Sequence, residues 1–356
     1  MGHVFQRTLL VFAAIASVAN AGPIDFNLIT LATNTTDPQL INPWGLAASA
    51  TSPLWIGSNG SGVAEVYTGA GVKNTSVVVT IPGNGSVTGV AFNSTGQFNN
   101  DSFLFASEDG TVSGWRGALG TTAETLVAAS ASDVYKGITL DTTGGDNYAL
   151  LANFYSGSID VLKGSGGDPN LGGFVDPSIP SGYAPFDVQD LNGVVYVTYA
   201  EQDGSKQDEI DGAGLGYIDA FDLNGNLISR LVSNGPLNAP WGLAIAPAGF
   251  GDLGGDLLVG NFGDGTIDAF TTSGTFVETL DGANGNPLSI DGLWALRFGS
   301  GSANGGGANT LYITAGPNGE TGGLFAEVTA VPEPATWLPA GLALAAAMRL
   351  RRGKRR

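Results

Sequence analysis

Short apolar runs, separated by turns rich in Gly, Asn and Asp, recur along the whole central part of the chain. Val195-Tyr196-Val197 and Leu257-Leu258-Val259 are two examples. Runs of this length, bounded by residues that favour tight turns, are typical of β-strands joined in hairpins. No stretch of the central part keeps a helical period over many residues. The pattern therefore predicts an all-β protein.

A longer repeat runs through these strands. The motif Asn-Pro-Trp-Gly-Leu-Ala at 42–47 returns as Ala-Pro-Trp-Gly-Leu-Ala at 239–244, and weaker copies lie near residues 88, 136, 186 and 291. The copies recur about every 50 residues, a period typical of propeller blades and solenoids. Aligning them makes these six positions equivalent: Gly45, Gly89, Gly137, Asp187, Gly242 and Gly292.

Each copy continues with a second apolar run, a turn and a third run, and several copies add a fourth. Six such units predict a six-bladed β-propeller with four-stranded antiparallel blades. The sixth unit lacks an obvious fourth strand, while the run at 26–32 has no blade of its own. We therefore expect this N-terminal strand to complete the last blade and close the ring, within one domain over 22–330.

Both ends of the chain look like targeting segments. Arg7, the apolar run at 9–19 and the small residues Ala19-Asn20-Ala21 predict a signal peptide over 1–21, against the alternative of a buried N-terminal helix. Residues 331–356 hold Pro332-Glu333-Pro334, a short apolar stretch that predicts a transmembrane helix, and a basic tail. A permanent anchor with its basic end in the cytoplasm fits this order as well.

The order of the C-terminal elements resembles the PEP-CTERM sorting signal of Gram-negative bacteria. The resemblance implies processing by signal peptidase and exosortase, with transient anchoring in the inner membrane. It also implies a final location on the cell surface, in the extracellular matrix or in the medium.

Composition excludes several kinds of chemistry. The net charge is −18, with 32 acidic against 14 basic residues, so nucleic acid is not an expected partner. There is no Cys, and the single His, His3, lies in the predicted signal peptide. The mature chain therefore lacks the residues for a Ser-His-Asp triad, a thiolate nucleophile or a His- or Cys-ligated metal. Any acid–base chemistry must rest on Asp, Glu, Tyr or Lys.

Polar residues cluster where the first strand of each blade begins and the second ends. In an antiparallel blade these points share one face, so their side chains should surround one mouth of the channel. The predicted ring comprises Asn42, Asn59, Asp109, Lys136, Asn153, Asp187, Glu201, Asn238, Asn261, Asp264, Asp291 and Asn318. Oxygen-rich sites suit Ca²⁺, and Asn42, Asn238 and Asp291 are its candidate ligands. Asn and Asp are also ordinary turn residues, so a purely structural role stays open.

An acidic loop interrupts the fourth blade between the runs 194–199 and 217–221. Its acidic residues are Glu201, Asp203, Asp208, Glu209 and Asp211. Their spacing does not match a calcium loop of the DxDxDG type. A solvated loop, a lid over the mouth and a calcium clamp all remain open.

Five tryptophans of the body admit two interpretations. Trp44, Trp55, Trp115, Trp241 and Trp294 either pack between blades or stack on a bound sugar. The motifs at 42–46, 238–244, 260–265 and 290–296 resemble those of a bacterial family of exported propellers without an assigned activity. A looser resemblance to NHL-type and gluconolactonase-like six-bladed propellers implies a metal site at the inner strand entries.

Two functions are compatible with these residues. The first is an exported, non-catalytic binding or scaffold module for exopolysaccharide, a protein or the cell envelope. The second is a Ca²⁺-dependent hydrolase or lactonase at the channel mouth, with Asp291 as the catalytic base.

Overall fold

The computed structural model describes residues 24–331, which form six antiparallel sheets arranged around one axis. The innermost strands of neighbouring sheets contact one another in sequence order, and the innermost strand of the sixth sheet contacts that of the first. The six-bladed β-propeller predicted from the repeat is therefore confirmed. The predicted signal peptide at 1–21 and Pro332, Glu333 and Pro334 lie outside the described residues. Within residues 24–331, no helix is long and apolar enough to span a bilayer.

Each blade is built from consecutive strands, numbered here in chain order. Blade 1 contains β2 (Pro43–Ala47), β3 (Leu54–Ser58), β4 (Val63–Tyr67) and β5 (Lys73–Thr80). Blade 2 contains β6 (Val87–Phe92), β7 (Phe103–Ser107), β8 (Val112–Trp115) and β9 (Glu124–Val127). Blade 3 contains β10 (Tyr135–Thr143), β11 (Asp146–Asn153) and β12 (Ser158–Lys163).

The second half of the ring follows the same order. Blade 4 contains β13 (Tyr183–Leu191), β14 (Val194–Gln202), β15 (Glu209–Ile210), β16 (Tyr217–Phe221) and β17 (Leu227–Ser233). Blade 5 contains β18 (Pro240–Ile245), β19 (Leu257–Asn261), β20 (Ile267–Phe270) and β21 (Phe276–Thr279). Blade 6 contains β22 (Leu293–Phe298), β23 (Leu311–Ala315) and β24 (Leu324–Ala330). Short 3₁₀ helices occupy Asn59–Ser61, Phe98–Asn100, Gly117–Leu119 and Gly251–Leu253.

The N-terminal strand β1 (Phe26–Thr33) forms the outer strand of blade 6. It pairs antiparallel with β24, from Phe26 opposite Ala330 to Thr33 opposite Leu324. Phe26 is 1% exposed and lies 5.0 Å, centre to centre, from the ring of Phe250 in blade 5. The predicted closure of the ring by the strand near 26–32 is thus confirmed.

Blade 3 differs from the prediction because it has three strands. Residues 164–182, which follow β12, instead cross to the outer edge of blade 4, where the Gly172 N–H donates to the carbonyl of Asn224. Gly166 and Gly167 adopt positive φ angles of 79° and 83°. Consecutive left-handed residues do not continue a strand, so the chain turns away.

A β-bulge near the start of every innermost strand fixes the true alignment of the six blades. Counted from the register on either side of the bulge, Ala295 and not Gly292 is the equivalent of Gly242. A Cβ atom on Gly242 would lie 2.3 Å from the Trp294 carbonyl oxygen in the next blade. Small residues at this level let adjacent blades approach closely.

Candidate functional site

The bulges bring one large side chain from most blades to the axis. We call Trp44, Lys136, Phe186, Trp241 and Trp294 the axial cluster. The Trp44 and Trp294 rings stack 3.6 Å apart, and the Trp241 ring meets the Trp294 ring edge-on at 5.6 Å. All five residues are nearly fully buried. The cluster therefore fills the channel below the mouth at which the innermost strands begin, the first mouth.

Lys136 is a cation inside this aromatic cluster. Its side chain is 1% exposed, and its Nζ lies 2.6 Å from Glu108 Oε1 and 5.0 Å from the centre of the Trp44 ring. Burial alone would lower the pKa of Lys136, but the carboxylates of Glu108 and Glu209 raise it above the ordinary value. The ammonium thus stays charged and neutralises part of the acidic first mouth.

Glu209 and Glu320 make no ion pair with Lys136, but its positive charge lowers the pKa of both carboxyls. Burial raises the pKa of Glu209 to about 7, although Lys136 lowers it. Burial also raises the pKa of Glu320, whose Oε2 accepts a hydrogen bond of 2.5 Å from Asn42 Nδ2. Asn42 Oδ1 in turn accepts from the Trp294 indole at 3.0 Å. Both polar atoms of Asn42 are therefore engaged within the protein.

The acidic loop of blade 4 lies over the first mouth. Its segment β15 pairs with the end of β14, so that Glu201 is opposite Ile210 and Gln202 is opposite Glu209. Asp208 Oδ1 lies 3.6 Å from Lys136 Nζ. Asp203 holds the turn by accepting from the Gln207 N–H at 3.0 Å. The loop therefore lies against the first mouth through Asp208 and through the pairing of β15 with β14.

Several other predicted mouth residues form turns or local pairs. Asp109 accepts from the N–H groups of Asn84 and Thr111, at 2.7 and 3.0 Å. Asn153 donates from Nδ2 to two carboxylates, 2.9 Å to Asp133 and 2.8 Å to Asp160. These contacts match the turn interpretation of the Asn and Asp residues.

The candidate calcium ligands of blades 5 and 6 are engaged in the same way. Asn238 Oδ1 accepts from the Gly212 N–H at 2.7 Å, and its Nδ2 donates to Asp264 at 3.2 Å. Asp291 Oδ2 accepts from the Asn318 N–H at 2.7 Å. In the neighbouring hairpin, Asn261 donates to Asp268 at 2.7 Å. Within residues 24–331, no group of three or more acidic, His or Cys side chains is arranged to hold a metal ion.

An acidic groove of about 570 Å³ lies beside the axial cluster on the first mouth. Loops of blades 2, 3 and 4 line it, and its charged residues are Glu108, Asp109, Asp133 and Asp208. No Lys or Arg lines this groove. Its electrostatic potential therefore favours a positively charged ligand.

Asp187 lies elsewhere than predicted. It lines a second cavity, of about 520 Å³, whose walls come from the later parts of the innermost strands and which opens at the opposite end of the channel, the second mouth. Gln189, Asp190 and Arg297 line the same cavity. The sequence did not indicate these three because the prediction gathered polar residues only where first strands begin and second strands end. The prediction for Asp187 was wrong because the bulge places it one layer below the axial cluster.

The comparisons with known proteins agree with the fold. The uncharacterized protein R648 of Acanthamoeba polyphaga mimivirus is 34% identical over 281 residues, covering 73% of this chain and 69% of that protein. Uncharacterized protein L690 of the same virus is 31% identical over 285 residues, covering 73% of this chain and 74% of its own length. The sequence matches no established protein-family model. These relatives are viral, so they do not support the resemblance to an exported bacterial family.

Solved structures with low sequence identity share the propeller. Virginiamycin B lyase from Staphylococcus aureus superimposes with a TM-score of 0.54 at 11% identity, covering 86% of this chain and 100% of the other. Regucalcin from Agrobacterium tumefaciens, a calcium-binding protein, superimposes with a TM-score of 0.50 at 15% identity, covering 88% of this chain and 98% of the other. At such identities the likeness shows the fold alone, with neighbours of the NHL and gluconolactonase-like type.

Proposed function

This chain belongs to the family of the uncharacterized mimivirus protein R648, and we propose that it is an exported, non-catalytic propeller that binds a basic protein segment at its first mouth. The acidic groove carries this proposal. Four carboxyl-bearing residues and no Lys or Arg line the groove. The buried ammonium of Lys136 pairs with Glu108 and Asp208, so that among residues 24–331 Asp109 and Asp133 are left without a cation within 4.0 Å. A flexible segment rich in Lys or Arg is the complementary ligand.

A protein ligand is favoured over exopolysaccharide by the state of the tryptophans. Trp44, Trp241 and Trp294 are at most 2% exposed, so their ring faces are unavailable to a sugar. Trp55 stacks on Phe103 at 4.3 Å between blades 1 and 2. An acidic polysaccharide would in addition be repelled by the acidic groove.

Export is the second part of the proposal and rests on the sequence of the chain ends. The segment 1–21 supports translocation, and Pro332-Glu333-Pro334 with the basic tail supports sorting at the inner membrane and release to the surface or matrix. Signal peptidase and exosortase are then the processing partners. Mass spectrometry of the protein isolated from its own cells tests this part: termini near residues 22 and 331 support it, and an intact chain contradicts it.

The binding part of the proposal is tested with a lysine-rich peptide as the probe. The double variant Asp133→Asn/Asp208→Asn removes two groove charges and should weaken binding about tenfold at low salt, because two close charge pairs are lost. Asp168→Asn/Asp252→Asn makes the same charge change at other points of the surface and should bind like the wild type. Isothermal titration at two salt concentrations measures both. Equal weakening in the two double variants contradicts the assigned groove.

Calcium should leave the melting temperature of the protein unchanged. One side-chain oxygen of each of Asn42, Asn238 and Asp291 already accepts a hydrogen bond within the protein. A cation bound to these oxygens would have to displace the contacts. Differential scanning calorimetry with millimolar Ca²⁺ and with chelator measures the effect. A rise that Asp291→Asn removes would instead support the calcium-dependent hydrolase, since a ligand that binds the folded state raises its stability.

A further inference from the structure

The cavity at the second mouth contains two charged side chains without ionic partners, the buried Asp187 and the half-buried Arg297. Asp187 is 1% exposed, and its carboxyl accepts long hydrogen bonds of 3.3 and 3.4 Å from Gln189 Nε2 and interacts with the Val188 backbone N–H. Arg297 Nη2 donates to the Ala48 carbonyl at 2.7 Å, and Arg297 Nε is buried without an acceptor. Among residues 24–331, Arg297 and the exposed Lys206 are the cations without a carboxylate within 4.0 Å.

Other polar groups of the cavity are already engaged. Asp190 Oδ1 accepts from the Gly193 N–H at 2.9 Å, and the Asp190 N–H donates to Thr139. The first bond closes the hairpin between β13 and β14, and the second ties β13 to β10 of blade 3. Besides Asp190, the charged groups of the cavity are therefore the Asp187 carboxyl, from blade 4, and the Arg297 guanidinium, from blade 6.

Burial shifts the ionisation of both groups away from their charged forms. It raises the pKa of Asp187 well above its ordinary value and lowers the pKa of Arg297. Buried charges are usually paired, because an unpaired one loses its hydration without compensation. A ligand that carries both opposite charges would satisfy the two groups at once.

Much of the remaining wall is apolar and includes Leu46, Val90, Leu243, Leu296, Phe298 and Trp241, while Gln189, Asp190 and Asn192 add polar groups. A volume of about 520 Å³ lies within the range of about 300–1,000 Å³ that small-molecule sites occupy. The ligand should therefore have an apolar body between its charged groups.

We propose that this cavity binds a short apolar peptide by its two charged ends, with the ammonium on Asp187 and the carboxylate on Arg297. Arg297 stands two residues further along its strand than Ala295, the equivalent of Asp187. Two residues of strand span about 7 Å along the axis. The two groups are thus offset by about 7 Å along the axis, in addition to the separation of blades 4 and 6 around it. A di- or tripeptide with both termini free is the ligand proposed to reach both groups while its side chains contact the apolar part of the wall. This site is independent of the acidic groove at the first mouth.

The test compares leucyl-leucine with two derivatives on the full chain. N-acetylation removes the ammonium, and C-terminal amidation removes the carboxylate, while each keeps the apolar body. Isothermal titration with the wild type should show at least tenfold weaker binding for each derivative. Free leucine, which is too short to reach both groups, should bind at least tenfold more weakly than the dipeptide.

Two variants assign the ends of the peptide. Asp187→Asn should lose the preference for the free ammonium and keep the preference for the free carboxylate. Arg297→Gln, which retains an amide donor for the Ala48 carbonyl, should do the reverse. Equal binding of the dipeptide and both derivatives to the wild type overturns the proposal, whether or not the variants fold. Unchanged preferences in two folded variants overturn the assignment of both residues.

Discussion

A chain that lacks residues 24–33 should fail to form a cooperatively folded monomer. Strand β1 pairs with β24 along its whole length, and the Phe26 N–H also donates to the carbonyl of Asp281 in the adjoining segment. Its removal leaves the backbone of β24 unpaired and exposes the apolar contact with Phe250. An open, unpaired edge of this kind invites association with other chains. Size-exclusion chromatography and thermal unfolding followed by circular dichroism measure the outcome.

Two point variants in the same strand make the expectation quantitative. Phe26→Ala should lower the free energy of unfolding by about 3–5 kcal/mol, as is usual for truncation of a buried Phe. Ile29, which is 44% exposed, lies three residues away on the outer surface of the ring. Ile29→Ala should change the free energy by no more than about 0.5 kcal/mol. Similar losses in the two variants, or a cooperative monomer after deletion, would contradict closure by β1.

Replacing Lys136 with Met should lower the free energy of unfolding by about 3 kcal/mol at pH 8, because it leaves buried carboxylates without their cation. Glu108 would lose its 2.6 Å ion pair, and Glu209 and Glu320 would lose the charge that offsets their burial. Denaturant titration measures the change. Lys206→Met removes the same charge from an exposed lysine of the acidic loop, and it should change the free energy of unfolding by no more than about 0.5 kcal/mol.

The loss in Lys136→Met should shrink as the pH falls. An acid whose pKa is higher in the folded state than in the unfolded state destabilises the fold as the pH rises between the two values. For Glu209 these values are about 7 when folded and 4.5 as the reference. Without Lys136 the folded pKa rises further, so the destabilisation by Glu209 continues to higher pH. A loss that is the same at pH 5 and pH 8 would show that Lys136 acts through packing alone.

The architecture was predictable from the sequence because every blade repeats the same short-range signals. Strand length, turn residues and the unpaired run at 26–32 each report on local hydrogen bonding, and they agree across the repeats. The missing fourth strand of blade 3 was a different case. The glycine-rich segment 164–173 did not reveal that it would cross to the edge of blade 4.

The candidate sites were less predictable because the direction of their side chains depends on the β-bulge, one extra residue near the start of each innermost strand. The alignment on Gly292 was three residues out of register, since the strand pairing makes Trp294 and Ala295 equivalent to Trp241 and Gly242. With the alignment from strand pairing Asp187 is the one charged residue in a ring of Gly and Ala, which would have marked it as unusual. Lys136 likewise stands where three other blades carry Trp. The sequence around Arg297 contains no motif that would indicate a cavity shared with Asp187.

The pairing of Phe26 with Ala330 also determines how early during synthesis the ring can close. The first strand to leave the ribosome must wait for the last one, about 300 residues later, which takes roughly 15–60 s at ordinary rates of synthesis. Until then five complete blades and an open gap are all that can exist. If the chain is exported, the ring can close only after the last strand has also crossed the membrane.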